Sequence, residues 1–495
     1  MSEFDVNFTM ATSQQLAQQI ERLLASGANN QVLGLCDTAI ATSKREIEAW
    51  LGRARANLAL ARVCVADEDL DMALRLAPVH AQANLLRGQL DQRLGNIDKA
   101  VDRLRKLALA KTAYSIEASF ALAETLFYSH RLDEFQQFIA HGGAWTADPR
   151  AAFFRARARA RLDPAGAIDD LLEINRQDSG TVLKRIAGFD AVQLLDKAGR
   201  YREAFDVAIK IHKESTPAFD LEGLLRGVRQ QAELLKKGAP WFTPRADTHK
   251  GVAMVVALPR SGTTLLEQML DAHSHIGAIG EYDGVQHIAD GAISAGFTMQ
   301  SIGMLPRELA KAMQLEYFNG ANKFKRAGTE WAFDKNLRAW SRLPVIAAIL
   351  PGTVCFHVAR DPRDMAISTF LSFFHPISDG WTSSMQSLQT VIEAERSILP
   401  QALSVLGIAH EQVVYEDLVA DPAGHASRCL ERLGLQMEPG VLSPERNARA
   451  VFTLSHAQVK QPINRGSIGR WKNYEFAFDD SWRALAVAHD ARRMR

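Results

Sequence analysis

The chain has 495 residues, with 58 Lys and Arg against 57 Asp and Glu and an apolar content of 47%. That length exceeds the size at which one hydrophobic core stops growing, so at least two domains are expected, and the composition excludes a largely disordered chain. A net charge of +1 excludes a global pull toward nucleic acid or an anionic membrane, so any anion site must be local.

The opening residues MSEFDVNFTMATSQQ carry acids where a signal peptide needs a basic start, and no 18-residue apolar run follows, so we expect a cytoplasmic protein without a membrane span. Residues 12 to about 237 are rich in helix formers and punctuated by Gly, Pro and Asn, with little strand alternation. Comparable small or apolar residues recur at Val32, Ala66, Ala100, Phe135, Ala167 and Ala204, with separations of 34, 34, 35, 32 and 37. About twelve residues before each of the later marks stands a second small residue, Ala54, Gly88, Ala123, Ala156 or Ala191, where two helices must approach closely. This period is similar to that of tetratricopeptide repeats. We therefore expect residues 1–238 to form an all-α superhelix of about six helix pairs, divergent near Phe135 and Ala167. The resemblance implies a concave face that holds a protein or peptide segment. Arg155, Arg157, Arg159 and Arg161 alternate every second residue and read as a solvated face. The four cysteines, Cys36, Cys64, Cys355 and Cys429, show no C-x-x-C spacing and read as buried thiols.

The stretch GAPWFTPRADTHK breaks the helical pattern and marks residues 239–250 as a linker. From residue 251 to 495 the pattern changes to strands alternating with helices, the signature of a doubly wound, mostly parallel sheet. Candidate strands are Val252–Leu258, Ile276–Gly280, Trp331–Phe333, Val354–Ala359 and Gln412–Tyr415. After the first strand comes PRSGTTL. Pro259 ends the strand, Gly262 permits close backbone approach, and Thr263 and Thr264 set hydroxyls beside the free N–H groups of a helix expected to begin at Leu265. With Arg260 and Ser261 the loop reads as a cradle for a phosphate or sulfate group. It lacks the lysine of a nucleoside triphosphatase loop, which leaves a small-molecule kinase without support.

The PRSGTTL loop resembles the 5′-phosphosulfate loop of sulfotransferases, which use 3′-phosphoadenosine 5′-phosphosulfate (PAPS) and need no metal. Two further stretches carry the same resemblance: ARDPRDMAIS, with Arg360 and, eight residues on, Ser368; and PINRGSIGRWKNYE near the end. The resemblance implies that Arg360 and Ser368, in the first turns of a helix, hold the 3′-phosphate, that Arg465 and Gly466 close over it, and that Tyr415 lies near the adenosine. Asn464 and Arg470 depart from the family pattern, the latter standing in place of an acid. Arg363, Asp361 and Asp364 read as capping and surface residues.

For the chemistry the resemblance is closest to the tyrosylprotein sulfotransferase-like branch. It makes Glu281, 21 residues after Arg260, the base that accepts the acceptor's proton. His273 and His275 are the rival bases. Lys335 matches the lysine that pairs with the leaving and transferring groups, unless its neighbour Asp334 neutralises it. Arg260 stabilises the leaving phosphate. Asp283 occupies the place of an arginine that in this branch meets an acidic peptide. Two functions stand at this point: a PAPS-dependent sulfotransferase whose repeats recruit a protein or carrier-bound acceptor, and a non-catalytic repeat adaptor whose second domain only binds a 3′-phosphoadenosine nucleotide.

Overall fold

The computed structural model describes residues 3–60, 62–176, 181–215, 217–447 and 461–493. It opens with α1 (Glu3–Ala25), α2 (Asn29–Thr42), α3 (Ile47–Ala59), α4 (Val63–Leu76), α5 (Ala81–Arg93), α6 (Ile97–Leu109), α7 (Ser115–Tyr128) and α8 (Leu132–His141). There follow α9 (Ala151–Arg159), α10 (Pro164–Arg176), α11 (Thr181–Lys197), α12 (Tyr201–Ser215) and α13 (Leu221–Leu235).

The periodic marks are the packing points. Val32, Ala66, Ala100, Phe135, Ala167 and Ala204 lie on the second helix of successive pairs and are all buried, as are Ala54, Ala123, Ala156 and Ala191 on first helices. Gly88 on α5 shows why small residues recur: an added Cβ would stand 2.7 Å from Leu104 Cδ2 on α6, well inside van der Waals contact. Each helix adds an apolar stripe, as with Ala100, Val101, Leu104 and Leu107 on α6, spaced to bury one face. The arginine run departs from expectation, because Arg157 is buried, paired with Asp190 at 2.6 Å and set over the Phe153 ring. Cys36, Cys355 and Cys429 are buried, but Cys64 is only half-buried.

The second half is built on five strands, β1 (Val252–Val256), β2 (Ile276–Gly280), β3 (Trp331–Asp334), β4 (Val354–Ala359) and β5 (Ala409–Val414). They pair in the order β2-β3-β1-β4-β5, every pairing parallel. Four of the helices between them are α14 (Thr263–Asp271), α15 (Gly284–Ser294), α16 (Arg307–Phe324) and α17 (Leu343–Ile349), and α18 (Pro362–Phe370) follows β4. β1 is buried along its whole length, which accounts for its unbroken apolar run. Its alternate residues serve two cores: Ala253 and Val255 face one with Leu266 and Phe356, while Val252, Met254 and Val256 face another.

That second core does not stop at the sheet. It takes in Phe189, Val192 and Leu195 of α11, Phe205, Ala208 and Ile211 of α12, and Val228 and Leu235 of α13. The chain divides into compact units at Met1–Ala147 and Asp148–Arg495. The physical reason is shared burial, since the last helices leave apolar faces that the sheet's own helices cover. No described helix is long and apolar enough to cross a membrane.

Candidate active site

Each strand of the sheet hands the chain to a polar residue at its carboxyl end. Arg260 follows β1 by four residues, and Glu281, Lys335, Arg360 and Tyr415 stand directly after β2, β3, β4 and β5. The carboxyl ends of an open parallel sheet are where such folds bind ligands.

The loop after β1 is tightly specified. Arg260 adopts a positive φ of 66° and Gly262 one of 103°, and α14 begins at Thr263, two residues earlier than expected. A Cβ on Gly262 would lie 2.2 Å from the Tyr415 ring, so only glycine fits beneath that tyrosine. Ser261 is fully buried and its hydroxyl donates to the Leu258 carbonyl at 2.8 Å, which fixes the turn. Thr263 and Thr264 are buried in the first turn of α14, where unpaired N–H groups and the helix dipole favour an anion.

Arginines converge on this loop. Arg260 Nε donates to Ser368 Oγ at 2.7 Å, and Arg360 Nη1 donates to the Arg260 carbonyl at 2.9 Å. Arg360 also sits over the Tyr415 ring and donates through Nη2 to the Ser467 carbonyl, while its buried Nε has no partner among the described residues. Burial, reinforced by the charges of Arg360 and Arg470, pushes the Arg260 guanidinium down to about 9. It remains protonated near neutrality, but in a setting that a bound anion relieves. Arg470 therefore belongs to this cluster, although in sequence it read only as a departure. Ser368 lies in the second turn of α18, as expected, and Asp361 caps that helix by accepting from Arg363 N at 2.8 Å.

Asp364 is a second correction. It is buried rather than a surface residue, and accepts from the backbone N–H groups of Gly469 and Trp471 at 2.7 and 2.8 Å. Burial pushes its carboxyl up, against the pull of Arg360 and those two donors. Arg363 pairs with Asp361 and stacks on Trp471, 3.6 Å from the ring centre. The C-terminal segment is thus seated on α18. Arg465 and Gly466 lie in that segment but are exposed, and the Gly466 N–H donates to Asn464 Oδ1. Among the described residues no hydrogen bond or ion pair brings the Arg465 guanidinium to the arginine cluster.

On the other side of β1, Lys335 Nζ donates to Glu281 Oε1 at 2.6 Å. Lys335 is 1% exposed and Glu281 about half exposed, so the ammonium is presented from within and the carboxylate faces outward. Asp334 does not neutralise Lys335. Its side chain points into the core, accepts from the Tyr317 hydroxyl at 2.7 Å, and is pushed by burial up to about 8. His273 is engaged in packing, with Nε2 at 2.9 Å from the Gln436 carbonyl and Nδ1 accepting from His275 N, while His275 meets Glu330. Neither reaches Glu281 by any hydrogen bond among the described residues.

A cavity of about 1000 Å³ lies beside Pro259 and Glu281. Trp340 and Trp381 wall it from the sheet domain and Leu224 and Val228 from α13. Among the described residues no group of three or more His, Cys, Asp or Glu side chains is arranged to hold a metal ion.

Residues 253–439 match the model of a family described as "Sulfotransferase family", so the chain carries a sulfotransferase-family domain. An uncharacterized protein of Aquifex aeolicus (strain VF5) is 25% identical over 313 residues, 58% of this chain, and this chain spans only 40% of that protein's length. Among solved structures, the sulfotransferase domain from the curacin biosynthetic pathway is 16% identical, with a TM-score of 0.37, and covers 49% of this chain and 99% of its own. The TPR domain of P58(IPK) is 14% identical, with a TM-score of 0.20, and covers 64% of this chain and 93% of its own.

Proposed function

We propose that the chain is a cytoplasmic sulfotransferase that moves a sulfuryl group from PAPS to a hydroxyl or amine acceptor. The observation that carries this reading is the row of strand ends, which sets Arg260, Glu281, Lys335, Arg360 and Tyr415 along one edge of a parallel sheet inside a sulfotransferase-family domain. PAPS would supply an activated sulfuryl group whose leaving partner is 3′,5′-ADP, with no metal. The residues present fit such a donor, because a buried arginine cluster whose Arg360 Nε has no partner among the described residues suits a bisphosphate.

In this reading Arg260, Ser261, Gly262, Thr263 and Thr264 hold the 5′ end through side chains and the N-terminus of α14. Arg360 and Ser368 take the 3′-phosphate, Arg465 and Gly466 close over it, and Tyr415 holds the loop glycine and the Arg360 guanidinium in place. Glu281 accepts the proton of the acceptor at its outward carboxylate. The Lys335 ammonium, fixed 2.6 Å away, sets positive charge where it develops on the transferring group. The cavity beside Glu281 admits the acceptor, a protein tyrosine, a saccharide or a lipid-linked glycan, and the repeats of residues 1–238 recruit it as a protein or carrier-bound substrate on their concave face. The tyrosylprotein-like branch remains the nearest pattern for the base.

The test uses the full chain. Calorimetry with 3′,5′-ADP in excess EDTA should give binding, and Arg360→Ala should weaken 3′,5′-ADP more than adenosine 5′-phosphate. Absence of binding, or equal loss for both nucleotides, overturns the donor assignment. Mass spectrometry after incubation of extract with labelled PAPS then identifies the acceptor.

A further inference from the structure

The segment from Arg465 to Tyr474 is held from two sides. The α18 side consists of the Arg360 contact with the Ser467 carbonyl, the Asp364 acceptance from Gly469 and Trp471, and the Arg363 stack on Trp471. The other side comes from α11. There Asp196, near the helix end, accepts from Arg470 Nη2 at 2.6 Å and from the Tyr474 hydroxyl at 2.5 Å. Both ion-pair partners are largely buried, with side-chain exposures of 18% for Arg470 and 13% for Asp196. Tyr474 is fully buried, edge-on to Tyr201 and near Phe205, both of α12.

This arrangement explains an oddity of the sequence. Arg470 stands where the resembled pattern has an acid, and the compensating acid is found on a helix 274 residues earlier. A single carboxylate oriented by two donors, one of them charged, is a directional anchor rather than a diffuse counter-charge. Removing one member of such a buried pair leaves the other uncompensated, so the position of the segment depends on α11.

We propose that Asp196 is a positioning residue for the nucleotide donor. By holding Arg470 and Tyr474 it fixes the 465–474 segment beside Arg260 and Arg360. Helices α11 and α12 are then part of the donor site as well as the end of the repeat array. This rests on the donor reading above.

The experiment titrates 3′,5′-ADP into the full chain by calorimetry, for wild type, Asp196→Asn, Tyr474→Phe, Arg470→Met and the Asp196→Asn/Arg470→Met double variant, alongside initial rates against donor concentration. Asp196→Asn should weaken the nucleotide by about 10-fold or more, the loss expected for a charge-assisted hydrogen bond. The donor KM should rise by the same factor while kcat at saturating donor stays close to wild type. The double variant should bind no worse than the weaker single variant, because one coupling is being removed twice. Unchanged affinity with a lowered melting temperature, or a loss confined to kcat, overturns the proposal. If Asp196→Asn does not fold, Tyr474→Phe, which keeps the buried ring, decides: a smaller loss of the same kind supports the proposal and wild-type affinity overturns it. A wild type that does not bind 3′,5′-ADP overturns the donor reading and this inference together. A wild type that binds beside variants that bind equally well overturns this inference alone.

Discussion

Helices α3–α8 and helices α11–α13 differ in where their polar side chains go. In the first set the charges pair locally, within one helix or between helices close in sequence. Arg53 joins Asp37 and Asp69, Arg87 joins Asp67, Asp71 and Asp91, and Arg131 joins Asp98 and Glu134. In the second set local pairs such as Arg200–Glu203 and Lys236–Glu233 persist, but other polar side chains cross to the sheet domain. Gln193 donates to the Leu371 carbonyl, His212 meets the Phe370 carbonyl, and Asp196 takes Arg470 and Tyr474. Both sets keep the small residues that let helices stack. The difference teaches that the period decides how helices pack on one another, whereas the faces left over, apolar ones that share a core and polar ones that cross with it, decide what the stack is joined to.

The comparison is sharpened most by a change at a strand end. Glu281→Gln keeps shape but cannot accept a proton, so turnover should fall by roughly 10²–10⁴ while 3′,5′-ADP binding stays close to wild type. A parallel fall in nucleotide affinity and melting temperature would make Glu281 structural and return the base to His273 or His275.

Next in size is a pH effect at Asp334. Its folded-state value, about 8, lies above the ordinary carboxylate value, so the fold prefers the protonated form. Stability is therefore fully present below the ordinary carboxylate range and is lost as pH rises toward about 8, at up to about 1.4 kcal/mol per pH unit. Asp334→Asn removes that titration. Thermal melts across this window should be flatter for the variant, and an equal slope in both proteins would refute the assignment.

Two glycines then set the regions against each other. Gly262→Ala places a methyl against Tyr415 at a positive φ, and should lower 3′,5′-ADP affinity by about 10-fold or more, since strain and clash together cost on the order of 2 kcal/mol. Gly88→Ala forces Leu104 aside and should cost about 1–3 kcal/mol of stability by overpacking, with nucleotide affinity unchanged in calorimetry. An affinity loss from Gly88→Ala would break the distinction between the two regions.

The elements were largely legible. All five strands, the six helix pairs and the buried marks at Val32, Ala66, Ala100, Phe135, Ala167 and Ala204 could be read from the sequence, the strands from short apolar runs and the pairs from a recurrence near 34 residues. The residues at the strand ends were singled out by the resemblance of the flanking motifs, not by periodicity. Less legible were the helix starts, since Thr263 rather than Leu265 begins α14, and the burial of Arg157 and Asp364, whose polar types gave no hint of partners 33 and 105 residues away.

The sequence by itself determined where the strands end and which helices pair, the first from short apolar runs and the second from a recurrence near 34 residues. Only the tertiary structure decided who meets whom. Lys335 pairs with Glu281 and not with its neighbour Asp334, because β2 lies beside β3 in the sheet and brings their carboxyl ends together. Alternation along β3 meanwhile turns Asp334 into the core toward Tyr317. Arg470 finds Asp196 for a similar reason: the apolar faces of α11 and α12 are buried in the sheet domain's core, and that burial carries a carboxylate to a segment near the other end of the chain.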